Sequence, residues 1–306
     1  MRMITNKDFE IIREEIKKLK KRKPKIMIQI PEGLKSEATE LIDTLSEFCE
    51  PILELDPCYG ACDIRCEEAK IMKCDAILHI GHIKFYRDID CDIPIIYYPL
   101  NIDVEIPEEE LEKIPFKRVG LISTVQHISS LEKIKNALEN KNKKVIIGGE
   151  ILGCWTANVK RIEKNVDCFL LVSSGRFHAL GIKTEKPVYI FDPERGIVEE
   201  IDKSEEISRL KVLYARLDKL KNSKKIGLIV SRKPGQFYND WKKIKEKLEN
   251  MGKKVYVLMM DYITNDKLMG LDVDVLINTA CPRLFDDHLD KPLINLEDLL
   301  KFISSK

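Results

Sequence analysis

Short apolar runs rich in β-branched residues alternate with amphipathic stretches along the whole chain. Strand side chains alternate every two residues and helical ones recur every 3.6, so this pattern predicts βαβ units built around parallel sheets. Strands are expected at 25–30, 51–55, 75–80 and 93–98, with helices near 36–48 and 63–73 between them. The same order returns with strands at 118–123, 144–147, 167–172 and 187–191 and a helix at 131–139, where Ser129 and Glu132 have the spacing of a capping box. It returns a third time with strands at 225–230, 254–258, 274–278 and 292–295 and a helix around Trp241, Ile244 and Leu248. Part of the repeat is literal: Leu138-Glu139-Asn140 with Lys143-Lys144-Val145 matches Leu248-Glu249-Asn250 with Lys253-Lys254-Val255 at one constant offset.

A period of roughly a hundred residues describes three similar domains rather than a solenoid, whose repeats run roughly 20–50 residues. The expected fold is α/β, with three similar small domains, each a parallel four-stranded sheet flanked by helices, in a pseudo-threefold arrangement. Their expected limits are 1–105, 106–203 and 204–306, with boundaries near 101–107 and 194–203 and an amphipathic helix at 207–220 opening the third. A helix at 7–19 puts Phe9, Ile12, Ile16 and Leu19 on one face, with Thr5 and Asp8 placed as its cap. That face packs within the first domain or against another subunit.

With 306 residues, 52 basic against 51 acidic and a net charge of +1, the composition demands neither nucleic acid nor an anionic membrane as partner. The basic excess is local to 17–25 and reads as a solvated helix end. The N-terminal stretch lacks the apolar core of a signal peptide, and no apolar run approaches the roughly 20 residues needed to span a bilayer. A cytoplasmic address is expected. In a reducing compartment nine cysteines of scattered spacing argue against a disulfide framework, leaving buried thiols or metal ligands.

Open parallel sheets bind ligands beyond the carboxyl ends of their strands, where loops and helix N-termini meet. Each repeat offers a cysteine there: Cys62 and Cys154 after the second strand of their domains, and Cys281 after the third strand of its own. Three thiolates from three domains can hold three irons of a [4Fe–4S] cluster and leave the fourth open to substrate. Zinc fits three sulfurs as well. Cys58, Cys62 and Cys66 also form a local series at four-residue spacing, but Pro57 and Gly60 keep Cys58 out of any helix shared with the other two, and Cys58 is held as a fallback ligand. Cys49, Cys74, Cys91 and Cys168 read as buried small hydrophobes. Candidate binding groups at other strand ends are Glu32, Gly33, His82, Gly175, Arg176, His178, Gln236 and Arg283, where glycines permit close backbone approach and the polar groups can meet a carboxylate or a purine edge.

Tyr59-Gly-Ala-Cys62-Asp63, His79-Ile-Gly-His82, Leu152-Gly-Cys154, Gly175-Arg-Phe-His178, Ala280-Cys281-Pro282 and the opening Gln29-Ile-Pro-Glu-Gly33 together resemble the catalytic subunit of archaeal diphthamide synthase, over essentially the whole chain. The resemblance implies a homodimer of three-domain subunits with a [4Fe–4S] cluster on Cys62, Cys154 and Cys281. It implies that an electron donor reduces the cluster and that S-adenosylmethionine is split between sulfur and the γ-carbon of its methionine part. The 3-amino-3-carboxypropyl group would then pass to carbon 2 of a histidine of translation elongation factor 2. Two other readings stand beside it: a dehydratase or condensing enzyme resembling quinolinate synthase, and a non-enzymatic nucleotide-binding module with structural zinc.

Overall fold

A computed structural model describes residues 3–304; the first two and last two residues, which the expected first and third domains include, lie outside the described part. Helix α1 (Asn6–Lys17) opens on Thr5, whose side chain accepts from the Asp8 N–H while Asp8 returns the bond to the Thr5 backbone, the reciprocal cap that the spacing predicts. Strand β1 (Lys25–Gln29), helix α2 (Ala38–Leu45), strand β2 (Glu50–Glu54), helix α3 (Cys66–Ile71), and strands β3 (Ala76–Ile80) and β4 (Ile95–Tyr98) follow. The four strands pair in parallel in the order β2-β1-β3-β4.

The pattern repeats with β5 (Arg118–Ser123), α4 (Leu131–Asn140), β6 (Lys144–Glu150), α5 (Ala157–Ile162), β7 (Cys168–Val172), α6 (Phe177–Leu180) and β8 (Val188–Asp192). A ninth strand, β9 (Ile197–Glu200), pairs antiparallel with β8 and gives this sheet the order β6-β5-β7-β8-β9. It lies in the stretch expected to separate the second and third domains. The last unit comprises α7 (Lys203–Asn222), β10 (Lys225–Val230), α8 (Trp241–Asn250), β11 (Lys254–Met259), α9 (Asn265–Leu268), β12 (Val275–Asn278), β13 (Leu293–Asn295) and α10 (Leu296–Ser304), with strand order β11-β10-β12-β13.

Both faces of each sheet are covered, which explains why the central strands read as continuous apolar runs. In β1, Ile26 and Ile28 enter the larger core with α1 and α2, while Met27 points to the opposite one with Ile64, Ala69 and Ile77. β10 divides in the same way, Ile226 and Leu228 to one side and Ile229 to the other. In every sheet the chain leaves the first strand to one neighbour and returns to the other, so the crevice at the first strand's carboxyl end is bordered by the loops after the second and third strands. This removes the apparent mismatch between Cys281, which follows the third strand of its sheet, and Cys62 and Cys154, which follow the second. No helix among the described residues is long and apolar enough to cross a membrane.

Two expectations are corrected. Cys66 and Cys91 form a disulfide, with Cα atoms 5.7 Å apart. Redox arguments address whether a bridge survives, whereas here the small core on one face of the first sheet packs both residues together and supplies the geometry. Neither Cys91 as a plain buried thiol nor Cys66 as a metal candidate stands. The Ser129–Glu132 capping box is also absent: a 3-10 turn over Val125–Ser130 runs directly into α4, with Ser130 at the cap position and no side-chain bond. Cys49 and Cys168 are fully buried as expected, while Cys74 is partly exposed.

Candidate functional site

Loops from all three sheets bring Cys62, Cys154 and Cys281 together, and none of the three is in a disulfide. Each lies close enough to another to perturb its ionisation. Burial pushes Cys62 up to about 11, with charge on Cys281 adding to this and the Gln236 amide opposing it. Cys154 is pushed up to about 12 by the surrounding protein mass, then by Cys281 and Cys62, although the residue itself keeps free surface. Burial also raises Cys281, against the Arg283 backbone N–H and the charges of Arg283 and Lys233. Thiols that resist ionisation alone and oppose one another's charge are groups a cation would convert to thiolates.

Each cysteine is held from another element. Gln236 Nε2 donates to Cys62 Sγ at 3.3 Å, and the Gly235 N–H donates to the Cys62 carbonyl at 2.9 Å. A Cβ on Gly235 would stand 2.5 Å from the Cys62 Cα, so only glycine permits this approach between the first and third domains. Around Cys154, Leu152 and Trp155 bridge one another, and the Gly153 N–H donates to His178 Nδ1 at 3.0 Å. Trp155 stacks on Tyr86 of the first domain with ring centres 5.9 Å apart. Tyr86 itself is raised by burial and then by the charges of Cys154 and Cys62, which places it beside both. Asn278 Nδ2 donates to the Cys281 carbonyl at 2.8 Å.

Behind Cys62 lies a buried charge network. Asp63, 1% exposed, pairs with Lys233 at 2.6 Å and approaches Arg65 at 3.5 Å. Burial raises the Asp63 carboxyl and the Lys233 and Arg65 cations oppose that rise. The Lys233 ammonium sits 4.2 Å from the centre of the Tyr262 ring, and Tyr262 bonds Arg65 and donates to the Pro57 carbonyl at 2.9 Å. Gln29, at the end of β1, donates to the Asp63 carbonyl at 2.9 Å and accepts from the Arg65 N–H at 3.1 Å. Of Asp63, Arg65, Lys233 and Tyr262, the sequence pattern pointed only to Asp63, within the Tyr59–Asp63 motif, and offered no candidate at the other three. Aspartate directly after Cys62, and lysine three residues before Gln236, were the available signals.

The other candidates divide. Gln236 and His178 touch the cysteine loops directly. Arg283 pairs with Asp287 at 2.7 Å, with its guanidinium 5.6 Å from the Tyr59 ring centre. Arg176 is engaged by Glu205 and by Glu199 at 3.4 Å, and Gly175 adopts φ +80° with open space where a Cβ would be. Glu32 is exposed and pairs with Lys35 at 2.8 Å, on the turn that also carries Gly33. His82 instead joins His79 and Cys58 in a group whose ligand atoms all lie within 4.8 Å of one another. Cys62, Cys154 and Cys281 form no such close group.

The family model for diphthamide synthesis proteins matches residues 30–304. The chain is 34% identical to the 2-(3-amino-3-carboxypropyl)histidine synthase of Pyrococcus horikoshii, over 91% of this chain and 85% of that protein. It is 30% identical to the enzyme of that name from Methanocaldococcus jannaschii, over 98% of this chain and 90% of that one. A crystal structure of Dph2 from Pyrococcus horikoshii with a 4Fe-4S cluster superposes with a TM-score of 0.85 at 29% identity, covering 97% of this chain and 90% of that one.

Proposed function

This chain belongs to the diphthamide synthesis protein family, and from that premise we propose that it transfers the 3-amino-3-carboxypropyl group of S-adenosylmethionine to a histidine of translation elongation factor 2. The observation that carries the reading is the meeting of three unpaired thiols, Cys62, Cys154 and Cys281, from domains we place at 1–105, 106–203 and 204–306. Three sulfur donors fit a [4Fe–4S] cluster with one iron left open, and the solved relative carries a 4Fe-4S cluster. When bound and reduced by an external donor, such a cluster supplies one electron and an open coordination position for cleaving the sulfonium's bond to the γ-carbon.

The protein's own part is to hold and shield. The Gln236 N–H gives the Cys62 sulfur a donor, which favours its thiolate form. Lys233, buried against Asp63, eases negative charge on Cys281, whereas at Cys62 the Asp63 carboxylate beside it opposes the same effect. His178 fixes the Gly153 amide and with it the turn that carries Cys154. The stacked pair of Tyr86 and Trp155 forms an apolar margin next to the thiols that limits water beside a reactive group. We also take a second copy of the chain to pack on the α7 face that exposes Ile207, Leu210 and Tyr214.

The test is an anaerobic reaction of iron- and sulfide-reconstituted protein with dithionite and S-adenosylmethionine, followed by chromatography of the nucleosides. Methylthioadenosine is expected, with labelled amino acid carbons passing to elongation factor 2 when it is present. Replacing Cys62, Cys154 or Cys281 by Ala should lower product by at least about 100-fold, as loss of a metal ligand does more than loss of its supporting shell. Formation of 5′-deoxyadenosine, or consumption of no S-adenosylmethionine, would sink the reading.

A further inference from the structure

The loop after β2 crosses the end of β1 and meets the end of β3, and there it places Cys58 against His79 and His82. Three features build this group. Gly81 turns the chain at φ +88°, pressed against Pro31 and anchored by its N–H to the Tyr98 carbonyl at 2.8 Å, so two histidines three residues apart face one point. Their ring centres lie 5.0 Å apart. Cys58 is 2% exposed and its loop is tied down by Tyr262 through the Pro57 carbonyl.

The polar accounting of this group is incomplete. His79 is fully buried, with neither ring nitrogen hydrogen-bonded, and Nδ1 of His82 is likewise buried without a protein partner. A neutral imidazole carries one donor and one acceptor, and leaving them unpaired in the interior is costly. Burial pushes His79 down to about 3 and His82 down to about 4, so both rings are neutral and present lone pairs.

We propose that Cys58, His79 and His82 form a second metal site, separate from the three-cysteine centre, which binds a zinc-class divalent cation through two imidazole nitrogens and one thiolate. Two nitrogens and a sulfur within 4.8 Å of one another match a tetrahedral ion with one position open, and the soft sulfur excludes magnesium and calcium. Binding releases the Cys58 thiol proton to solvent and takes both histidines in their neutral form. The ion pins the loop that carries Cys62 to the end of β3 and satisfies the unpaired nitrogens. The site does not depend on what the three cysteines hold.

Zinc K-edge absorption on the full chain, with its cluster reconstituted and zinc chloride supplied as the only added divalent metal, tests this. One zinc per chain is expected, with a first shell of one sulfur and two imidazoles, while iron is read separately at its own edge. A shell of three sulfurs, or zinc well below one per chain, overturns the proposal, and this reading needs no variant to fold. Cys58→Ser and His82→Gln should each weaken zinc binding by more than about tenfold, while Cys154→Ser leaves it unchanged. Equal loss in Cys154→Ser would place the zinc in the three-cysteine centre instead.

Discussion

Asp63 and Lys233 form a pair in which each side chain is nearly sealed from solvent, and the chemistry of such pairs is asymmetric. Removing one member strands a buried charge, at about 3–5 kcal/mol, whereas removing both together costs far less. Lys233→Met should therefore lower the free energy of unfolding by about that amount in urea melts, and adding Asp63→Asn should recover part of it. Strictly additive losses in the two single variants would show that the pair is not coupled. At this scale the sequence located Cys62, Cys154 and Cys281 just after strands, but concealed the charge behind Cys62. Asp63, Arg65 and Lys233 are ordinary loop residues until folding places residues 63 and 233 in contact. The disulfide was hidden for the same reason, since the 25-residue separation of Cys66 and Cys91 carries no sign of their shared core.

Among the elements, α7 shows two unlike faces. Leu217 and Leu220 enter the third domain's core, while Ile207, Leu210 and Tyr214, spaced three and four residues apart, remain exposed along one side. Covering that side with a second copy predicts that Leu210→Asp halves the mass measured by light scattering on a sizing column, with helical content unchanged. An unaltered mass would clear this face of any role in assembly. The parallel strands were legible because burial on both faces writes an unbroken apolar run, and all twelve expected strands coincide with observed ones to within a few residues. The antiparallel β9 escaped because it is four residues long at a sheet edge and ends in two acidic residues, Glu199 and Glu200, so apolar patterning fades there. The α4 start misled because a 3-10 turn flows into the helix and leaves Ser129 no terminus to cap.

For the whole molecule, the decisive contacts are those between domains. The third domain presses Gly235 onto Cys62 of the first, Trp155 of the second stacks on Tyr86 of the first, and Lys183 of the second pairs with Glu297 of the third at 2.5 Å. Because a Cβ at Gly235 would meet the Cys62 backbone, Gly235→Ala should cost about 1–3 kcal/mol and spread the joint. Iron bound per chain after reconstitution should fall while far-ultraviolet circular dichroism stays the same. Full iron content in that variant would mean that the two domains can shift without disturbing the thiols.

If the three cysteines hold a cluster as proposed, their distribution along the chain also sets a schedule for biosynthesis. Residues 154 and 281 are separated by 281 − 154 = 127 positions. At 5–20 residues per second a ribosome takes roughly 6–25 s to cover that interval. Throughout it the nascent chain presents Cys62 and Cys154 without their third companion. A metal-delivery system acting during translation would then meet an incomplete receptor, and loading would belong to the finished chain.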